Sequence, residues 1–510
     1  MEKMETIRLA ARNSRLSILQ LEKTKHKIES FYPGIKVEII LKSSHGDILQ
    51  DVPLHTVEGS DFFTKDIFDA LSNDEADIAV HSLKDMSSEH FFGQNIFAVI
   101  DRDDTRDIAI FNHNIEQRIK DGGKIIIGTC SPRREEMATI FLQKALPQLN
   151  NAFKVETKNI RGNVDTRLKK LEAGEYDGII LATAGLNRLL ESEKDSLSVK
   201  EFLKNKKLML LPLIECVPAP CQGAIVAEAT PGNTKAVSIL KKINSEQLMQ
   251  QCVKEKQVAS QYGAGCLQRF GVTTISYGNN EVIYAAGRDS SDKAFSKWLP
   301  LPEIDAESKR FFSAADFMGS LFDYEYDETP QIKESIVYVS NYKATNKEEI
   351  IKQLLSKKIW CAGTKTWFEL AKQGIWVEGC ADAFGLEFLL KPWQMPLFNI
   401  TKNDVAVITN HQSKERWQAK GWNAYYTYYQ IEKYLPEIED KVKQADIIFW
   451  TNYQQYLQYK NVLKENVQHI CPYGETAEHL KKEGIDPIVF PNIKAFQQWK
   501  QTLILSRSVA

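Results

Sequence analysis

The chain has 510 residues, 43% apolar and 26% charged, with a formal net charge of −2. That length divides into about three or four cores rather than one, and the near-neutral charge argues against a general nucleic-acid binder. Met1 to Thr6 lack the apolar run of a secretory signal, and no stretch of about 18 apolar residues offers a transmembrane helix, so a cytoplasmic protein without membrane contact is expected. The eight cysteines form no C-x-x-C pair and no Cys/His group at zinc spacing, so reduced thiols and no metal are expected.

Ile7-Arg8-Leu9-Ala10 reads as a strand, followed by polar Arg12-Asn13-Ser14 and a helix through Leu16, Leu19 and Ile28. Tyr32-Pro33-Gly34 ends the helix and Val37 to Leu41 is the next strand. Such a unit predicts a parallel sheet with ligands at the carboxyl ends of its strands, where Arg12 and Ser14 stand. Ser43 to Glu58 reads as a mobile loop, and a helix near Lys65 to Leu71 leads to a buried strand, Ala76 to Val80. That strand runs into His81-Ser82-Leu83-Lys84-Asp85. Alone, Asp85 reads as a cap or turn residue; beside Lys84 and a basic site it reads as a catalytic carboxylate.

Asp101 to Asp104 reads as a hinge into a second domain, where Lys124 to Thr129 forms a strand. Cys130-Ser131-Pro132-Arg133-Arg134 then opens a helix, with Ser131 as N-cap and Pro132 in the first helical position. Two arginines in a first turn have the wrong sign for the helix dipole. They are either a solvated surface pair or, with the free N–H groups, an anion site. The pattern recurs at Arg161 and Arg167 before a short helix, and at Arg188 after the strand Tyr176 to Ala182, with Thr129 and Ser131 as nearby hydroxyls. Guanidinium forks match carboxylates in a bidentate way, and the absence of a G-x-x-x-x-G-K-[ST] loop argues against a nucleoside triphosphate. The chain returns to a strand through Gln222-Gly223-Ala224, and one helix from about Ala236 to Gln261 leads to Tyr262-Gly263-Ala264-Gly265-Cys266-Leu267. Small residues there let a large group approach the sulfur, and a thiolate can hold a covalent group. The plain alternative is a buried structural thiol. Strands near Val272 to Ile275 and Val282 to Ala286 follow.

These motifs, in this order, make residues 6 to 315 resemble porphobilinogen deaminase, also called hydroxymethylbilane synthase. Carrying the resemblance are Arg8 to Ser14, Ala76 to Asp85, Gly128 to Arg134, Arg161 to Arg167, Leu181 to Arg188, the Gln222-Gly223-Ala224 turn and the Cys266 loop. The resemblance implies an α/β fold of three domains: 5–101 with 210–230, 102–209, and 231–320. The first two would be similar to type II periplasmic binding lobes and the third a small α+β domain. It implies a monomer with one dipyrromethane joined to Cys266, on which four porphobilinogen molecules are linked head to tail with loss of ammonia. Asp85 would face the pyrrole nitrogens and stabilise a cationic azafulvene-like intermediate. Lys84, Thr129, Ser131, Arg133, Arg134, Arg161, Arg167 and Arg188 would hold the cofactor, and Arg12, Ser14, Arg161, Arg167 and Gln222 the substrate. Ser60, Cys221, Lys256 and Ala264 depart from the family pattern.

Asp323 to Pro330 reads as part of an acidic linker, 321–333. Beyond it an internal repeat appears: Ser335 to Asn341 parallels Asp446 to Asn452, and Thr366 to Gly374 parallels Thr476 to Gly484. Residues 334–510 therefore read as a duplicated α/β lobe with a cleft between the copies. This part resembles uroporphyrinogen-III synthase, with Gly363, Thr366, Gly474, Thr476 and Ala381 to Leu386 carrying the likeness and the opening strand and helix missing. The resemblance implies either cyclisation of the deaminase product or a degenerate tail. A non-enzymatic anion-binding protein built from periplasmic-type lobes is the competing class.

Overall fold

The computed structural model describes residues 6–42, 65–263, 268–306, 309–317, 321–326, 328–433 and 435–509. The loop expected at Ser43 to Glu58, Ser60, and the Ala264 to Leu267 turn with Cys266 lie outside the described residues.

The first sheet starts with β1 (Thr6–Arg12), whose apolar run is buried at Ile7, Leu9, Ala10 and Ala11. Ser14 then caps α1 (Arg15–Phe31) by accepting the Ser17 N–H. β2 (Lys36–Lys42), β3 (Ile78–Ser82) and β4 (Ile96–Arg102) follow. The chain then crosses to a second sheet of β5 (Asp107–Phe111), β6 (Lys124–Gly128), β7 (Lys154–Lys158), β8 (Gly178–Ala182) and β9 (Lys207–Leu210). Among the helices that accompany it are α2 (Pro132–Ala145), α3 (Val164–Glu172) and α4 (Thr183–Glu191). A return crossing delivers β10 (Ala224–Ala229) to the first sheet.

The two sheets share one topology. The first has the order β2-β1-β3-β10-β4 and the second β7-β6-β8-β5-β9. In each, four of the five strands run in one direction and one, β10 or β5, is antiparallel to both its neighbours. The reversed strand is in each case the one reached by a crossing, so the crossings place Arg102, Asp107 and Gln222 at the junction. Ile7, Leu9, Ile78 and Val80 pack with Leu21 and Ile28 of α1 in the first lobe, and Ile108, Ile110 and Ile179 pack with Leu168 and Leu186 in the second.

The single helix expected to Gln261 is two, α5 (Thr234–Ile243) and α6 (Glu246–Ser260). The break is fastened to β4: Val99 N–H donates to Asn244 Oδ1 at 2.9 Å, and Ser245 N–H donates to Val99 O at 2.9 Å. A three-stranded sheet follows, of β11 (Arg269–Tyr277), β12 (Asn280–Arg288) and β13 (Ala294–Leu299), in that order.

The chain divides into two compact units, residues 1–274, 283–296 and 395–399, and residues 275–282, 297–394 and 400–510. The second unit contains β14 (Phe311–Ser313), β15 (Phe322–Glu325), β16 (Ile336–Val339), β17 (Lys358–Cys361), α7 (Thr364–Lys372) and β18 (Val377–Cys380). It also contains β19 (Val405–Asn410), α8 (His411–Ala419), β20 (Asn423–Glu432), β21 (Ile447–Phe449), α9 (Tyr453–Tyr459), β22 (Gln468–Pro472), α10 (Glu475–Lys482) and β23 (Ile488–Phe490). A six-stranded sheet has the order β15-β20-β19-β16-β17-β18 and a four-stranded one β14-β21-β22-β23. The segment expected to be a linker is therefore partly sheet: β15 pairs antiparallel with β20, and β14, just before it, runs parallel to β21.

The sequence repeat has a structural counterpart. Asn341 after β16 and Asn452 after β21 each cap the helical turn that follows, and Gly363 and Gly474 each precede a helix, α7 and α10. Among the described residues no helix is long and apolar enough to cross a membrane.

Candidate active site

The site is built at the junction of the two sheets of the first unit. β3 ends in a tight turn, Leu83–Asp85, which sets Leu83 in the core and leaves Lys84 and Asp85 half-buried at the carboxyl end of the strand. Lys256 of α6 donates its ammonium to the Met86 carbonyl just beyond this turn, so the lysine that departs from the family pattern pins the Asp85 loop. Desolvation lowers the Lys84 pKa, the nearby carboxylates of Asp85 and Asp107 work against that shift, and Arg134 and Arg133 add to it. Lys84, Asp85, Asp107, Arg133 and Arg134 thus form one electrostatic group.

The arginine pair at the start of α2 is not a solvated surface pair. Arg133 is 3% exposed and Asp107, at the first position of β5, is 0% exposed. Arg133 Nη2 donates to Asp107 Oδ2 at 2.9 Å, while Arg134 Nε reaches Oδ2 at 3.1 Å and Nη2 reaches Oδ1 at 2.8 Å. Arg133 Nη1 also donates to the Val217 carbonyl at 2.6 Å. Gln222 Nε2 completes the group on Asp107 Oδ1 at 2.8 Å and on the Thr105 carbonyl at 2.7 Å. Burial works against the charged form of Asp107, but the guanidinium groups of Arg134 and Arg133 and the Gln222 amide hold its carboxyl far below the usual carboxylate range.

The other residues singled out in the sequence divide into two groups. Thr129, Ser131, Arg161 and Arg167 stand at the carboxyl ends of β6 and β7 or the starts of α2 and α3. Thr129 Oγ1 accepts the Ser131 N–H at 3.2 Å, and Ser131 precedes α2 without a side-chain capping bond. Arg167 donates to the Gly162 carbonyl at 2.9 Å and approaches the Cys130 thiol at 3.7 Å. Arg188 has partners outside the Asp107 group: it is buried, pairs with Asp103 at 2.8 Å and donates to the Gly223 carbonyl at 2.6 Å, so it ties α4 to both crossings between the sheets. Ser14 spends its hydroxyl on the α1 cap, and Arg12 is half-buried at the end of β1.

Three buried carboxylates were not singled out in the sequence: Asp107, Glu228 and Glu255, each 0% exposed. Glu228 accepts His81 Nε2 at 2.7 Å, His90 Nε2 at 2.8 Å and Asn95 Nδ2 at 3.1 Å. Glu255 of α6 accepts Arg102 Nη2 at 2.8 Å and the backbone N–H groups of Cys221 and Thr274, both at 2.7 Å. A signal for two of them, Asp107 and Glu228, was available. A carboxylate inside an apolar strand or helix face requires a buried partner, and Asp107-Ile108-Ala109-Ile110 and Val226-Ala227-Glu228-Ala229 have that form.

The family model described as "Porphobilinogen deaminase, dipyromethane cofactor binding domain" matches residues 7–238. A probable porphobilinogen deaminase of Methanocaldococcus jannaschii is 36% identical over 279 residues, 54% of this chain and 85% of the relative. The chain belongs to the porphobilinogen deaminase family. A porphobilinogen deaminase of a Nostoc species is 32% identical over 281 residues, covering 54% of this chain and 80% of the relative. A probable porphobilinogen deaminase of Saccharolobus islandicus is 37% identical over 288 residues, covering 56% and 88%. Deaminases of this family are transferases of tetrapyrrole biosynthesis that carry a dipyrromethane, and the residues here fit that group. Its acetate and propionate arms carry negative charge that forked cations can match, and the junction holds Lys84, Arg133 and Arg134.

The second unit has a cleft of its own, about 520 Å³, between its two sheets. Tyr338, Thr409 and Tyr473 stand at strand ends along it, and Asn341, Asn410 and Asn452 bring capped helix starts to it. Its charged lining among the described residues is Glu387, Glu432, Glu475 and Glu478 against Arg416 and Lys420. Glu475 lies 3.4 Å from Arg416 and 3.9 Å from Lys420, and Glu387 lies 3.4 Å from Lys420.

Proposed function

We propose that this chain is a hydroxymethylbilane synthase, joining four porphobilinogen molecules head to tail with release of ammonia. The observation that supports the proposal best is the buried Arg133–Arg134 pair on Asp107 at the junction of two like sheets, with Lys84 and Asp85 in the turn at the carboxyl end of β3. Every pyrrole ring adds two carboxylate arms, so the growing product is a polyanion, and forked cations hold it without needing a nucleotide-type phosphate loop. When bound, the dipyrromethane supplies the primer end on which the product grows, and Cys266 is the thiol assigned to hold it. Asp85 balances the positive charge that develops on the substrate as ammonia leaves and moves the pyrrole proton. Arg12, Arg161 and Arg167 are assigned to the carboxylates of incoming substrate. The protein works as a monomer in the cytoplasm on this reading.

Intact-mass spectrometry tests it. The purified protein is expected to be heavier than its sequence by a two-ring pyrrole, and Cys266→Ala to lack the excess. Asp85→Asn is expected to keep the added mass and to lose about 10²- to 10⁴-fold in kcat, the usual weight of a positioned acid–base group. A wild-type protein of bare sequence mass that consumes no porphobilinogen leaves the anion-binding alternative standing.

For the second unit the lining of the cleft favours a non-cyclising tail. Four glutamates against two cations, with both cations already paired, oppose entry of a polycarboxylate. The capped helix starts offset this only in part, since each is worth about 0.3–1 kcal/mol to an exposed anion. Incubating the full chain with porphobilinogen and separating the oxidised porphyrins is expected to give the type I isomer, the product of spontaneous closure. A predominance of type III would establish cyclisation by this chain.

A further inference from the structure

Asp107 is the one group on which three separate parts of the deaminase site converge. It is the first residue of β5, where the chain enters the second sheet, and its backbone is held on both sides by the pairing with Ala182 and by the Leu211 N–H on its carbonyl at 2.9 Å. Its carboxylate is fully buried and accepts four hydrogen bonds, from Arg133, Arg134 twice, and Gln222. Adjacent guanidinium groups at a helix start repel each other and the positive end of the helix. The buried anion between them offsets that repulsion and, with the Val217 carbonyl on Arg133, holds both forks inside. The same carboxylate fixes the direction of the Gln222 amide: Nε2 donates to Asp107 and to the Thr105 carbonyl, so Oε1 faces away as an acceptor, and it finds no partner among the described residues.

We propose that Asp107 is a positioning residue of the deaminase reaction, which presents Arg133, Arg134 and Gln222 as a preset receptor for the carboxylate arms and N–H groups of the pyrrole chain. Its effect is on binding and primer loading rather than on bond making. The inference rests on the deaminase reading and deepens it.

Asn is the informative replacement because it keeps the shape of Asp107 while turning one acceptor into a donor that must face a guanidinium or the Gln222 amide. Asp107→Asn in the full chain is expected to keep the wild-type circular dichroism spectrum. By intact mass a smaller fraction of it is expected to carry the two-ring adduct. In the loaded fraction the KM for porphobilinogen is expected to rise about 10- to 100-fold, the scale of one charge-assisted contact, with kcat within about threefold of wild type on the argument that only ground-state and transition-state binding in common are lost. Should Asp107→Asn fail to fold, Asp107→Glu, which keeps the charge but moves the carboxylate by one methylene relative to Arg133, Arg134 and Gln222, supplies the comparison, with a shift in loading and KM expected in the same direction. Wild-type loading and KM in the folded variant overturn the role of Asp107 and leave the deaminase reading intact. So does a fall in kcat at constant KM. Absence of the adduct from the wild-type protein overturns the deaminase reading and this inference together.

Discussion

A buried carboxylate with cationic or donor neighbours makes stability depend on pH, and Glu228 is the plainest case in this chain. Burial alone would raise its pKa, but the hydrogen bonds from His81 and His90 bring it from 4.5 down to about 2. A carboxyl whose folded pKa is depressed stabilises the fold above its unfolded pKa, and that contribution is lost as pH falls through the folded value. The window is therefore from about pH 4.5 down to about pH 2. A depression of this size is worth about 3 kcal/mol at neutral pH. Glu228→Gln is expected to lose roughly that much at pH 7, measured by urea unfolding, with the gap between wild type and variant closing as the pH approaches 2. A constant gap across that range would mean that the loss is one of packing. The residue scale also shows where sequence reading stops. Arg133, Arg134 and Gln222 were visible as a set of polar groups at helix and strand starts. That Asp107 is their common partner was not, because it stands well apart from them in sequence, and a carboxylate opening an apolar strand signals a buried partner without saying which.

The strand–helix alternation of the first unit is legible because each element carries its own period and its own stop signal, as Ser14 and Tyr32-Pro33-Gly34 do for α1. What is not legible is pairing between distant strands. β10 enters the first sheet antiparallel to β3 and β4, and β5 enters the second antiparallel to β8 and β9; no local pattern encodes either. The break between α5 and α6 did carry a local signal, since Asn244 and Ser245 favour helix caps over helix interiors and stand at the end of α5 and the start of α6; its fastening to Val99 of β4 did not. α6 is then tied to the junction through Glu255, which joins Arg102 at the end of β4, the Cys221 backbone before β10 and the Thr274 backbone on β11. Removing the charge from a fully buried pair leaves the other charge uncompensated. Glu255→Gln is expected to cost about 3–5 kcal/mol in urea unfolding, far more than Arg15→Gln, whose pair with Asp195 is about a quarter exposed and lies nearer the range of about 0–1 kcal/mol for surface pairs. Equal losses would contradict the view that α6 is anchored by this carboxylate.

At the scale of the whole molecule the acidic segment after the deaminase region decides where the chain can be divided. Its composition reads as a solvated linker because Asp323, Glu325 and Asp327 are charged and a proline follows. Its first residues nevertheless form β15, the edge strand of the six-stranded sheet, and β14 before it is the edge strand of the four-stranded sheet. Edge strands as short as these have weak local signals and are fixed by the sheet they join, here through Phe311, Phe312 and Phe322, with Phe312 and Phe322 buried in one core with Trp450 and Tyr456. A fragment beginning at residue 334, where the sequence places the domain start, removes both strands and strips those aromatic side chains from that core. It also leaves the row of N–H and C=O groups on β20 and β21 unpaired, which invites association. A fragment beginning near residue 300 keeps both. The longer fragment is expected to be monodisperse by size-exclusion chromatography and to melt cooperatively, and the shorter one to aggregate or melt at a temperature lower by about 10 °C or more, given several kcal/mol of lost apolar burial in a unit of this size. Matching melting curves for the two would show that β14 and β15 rest on the second unit without stabilising it, and would restore the reading of residues 321–333 as a linker.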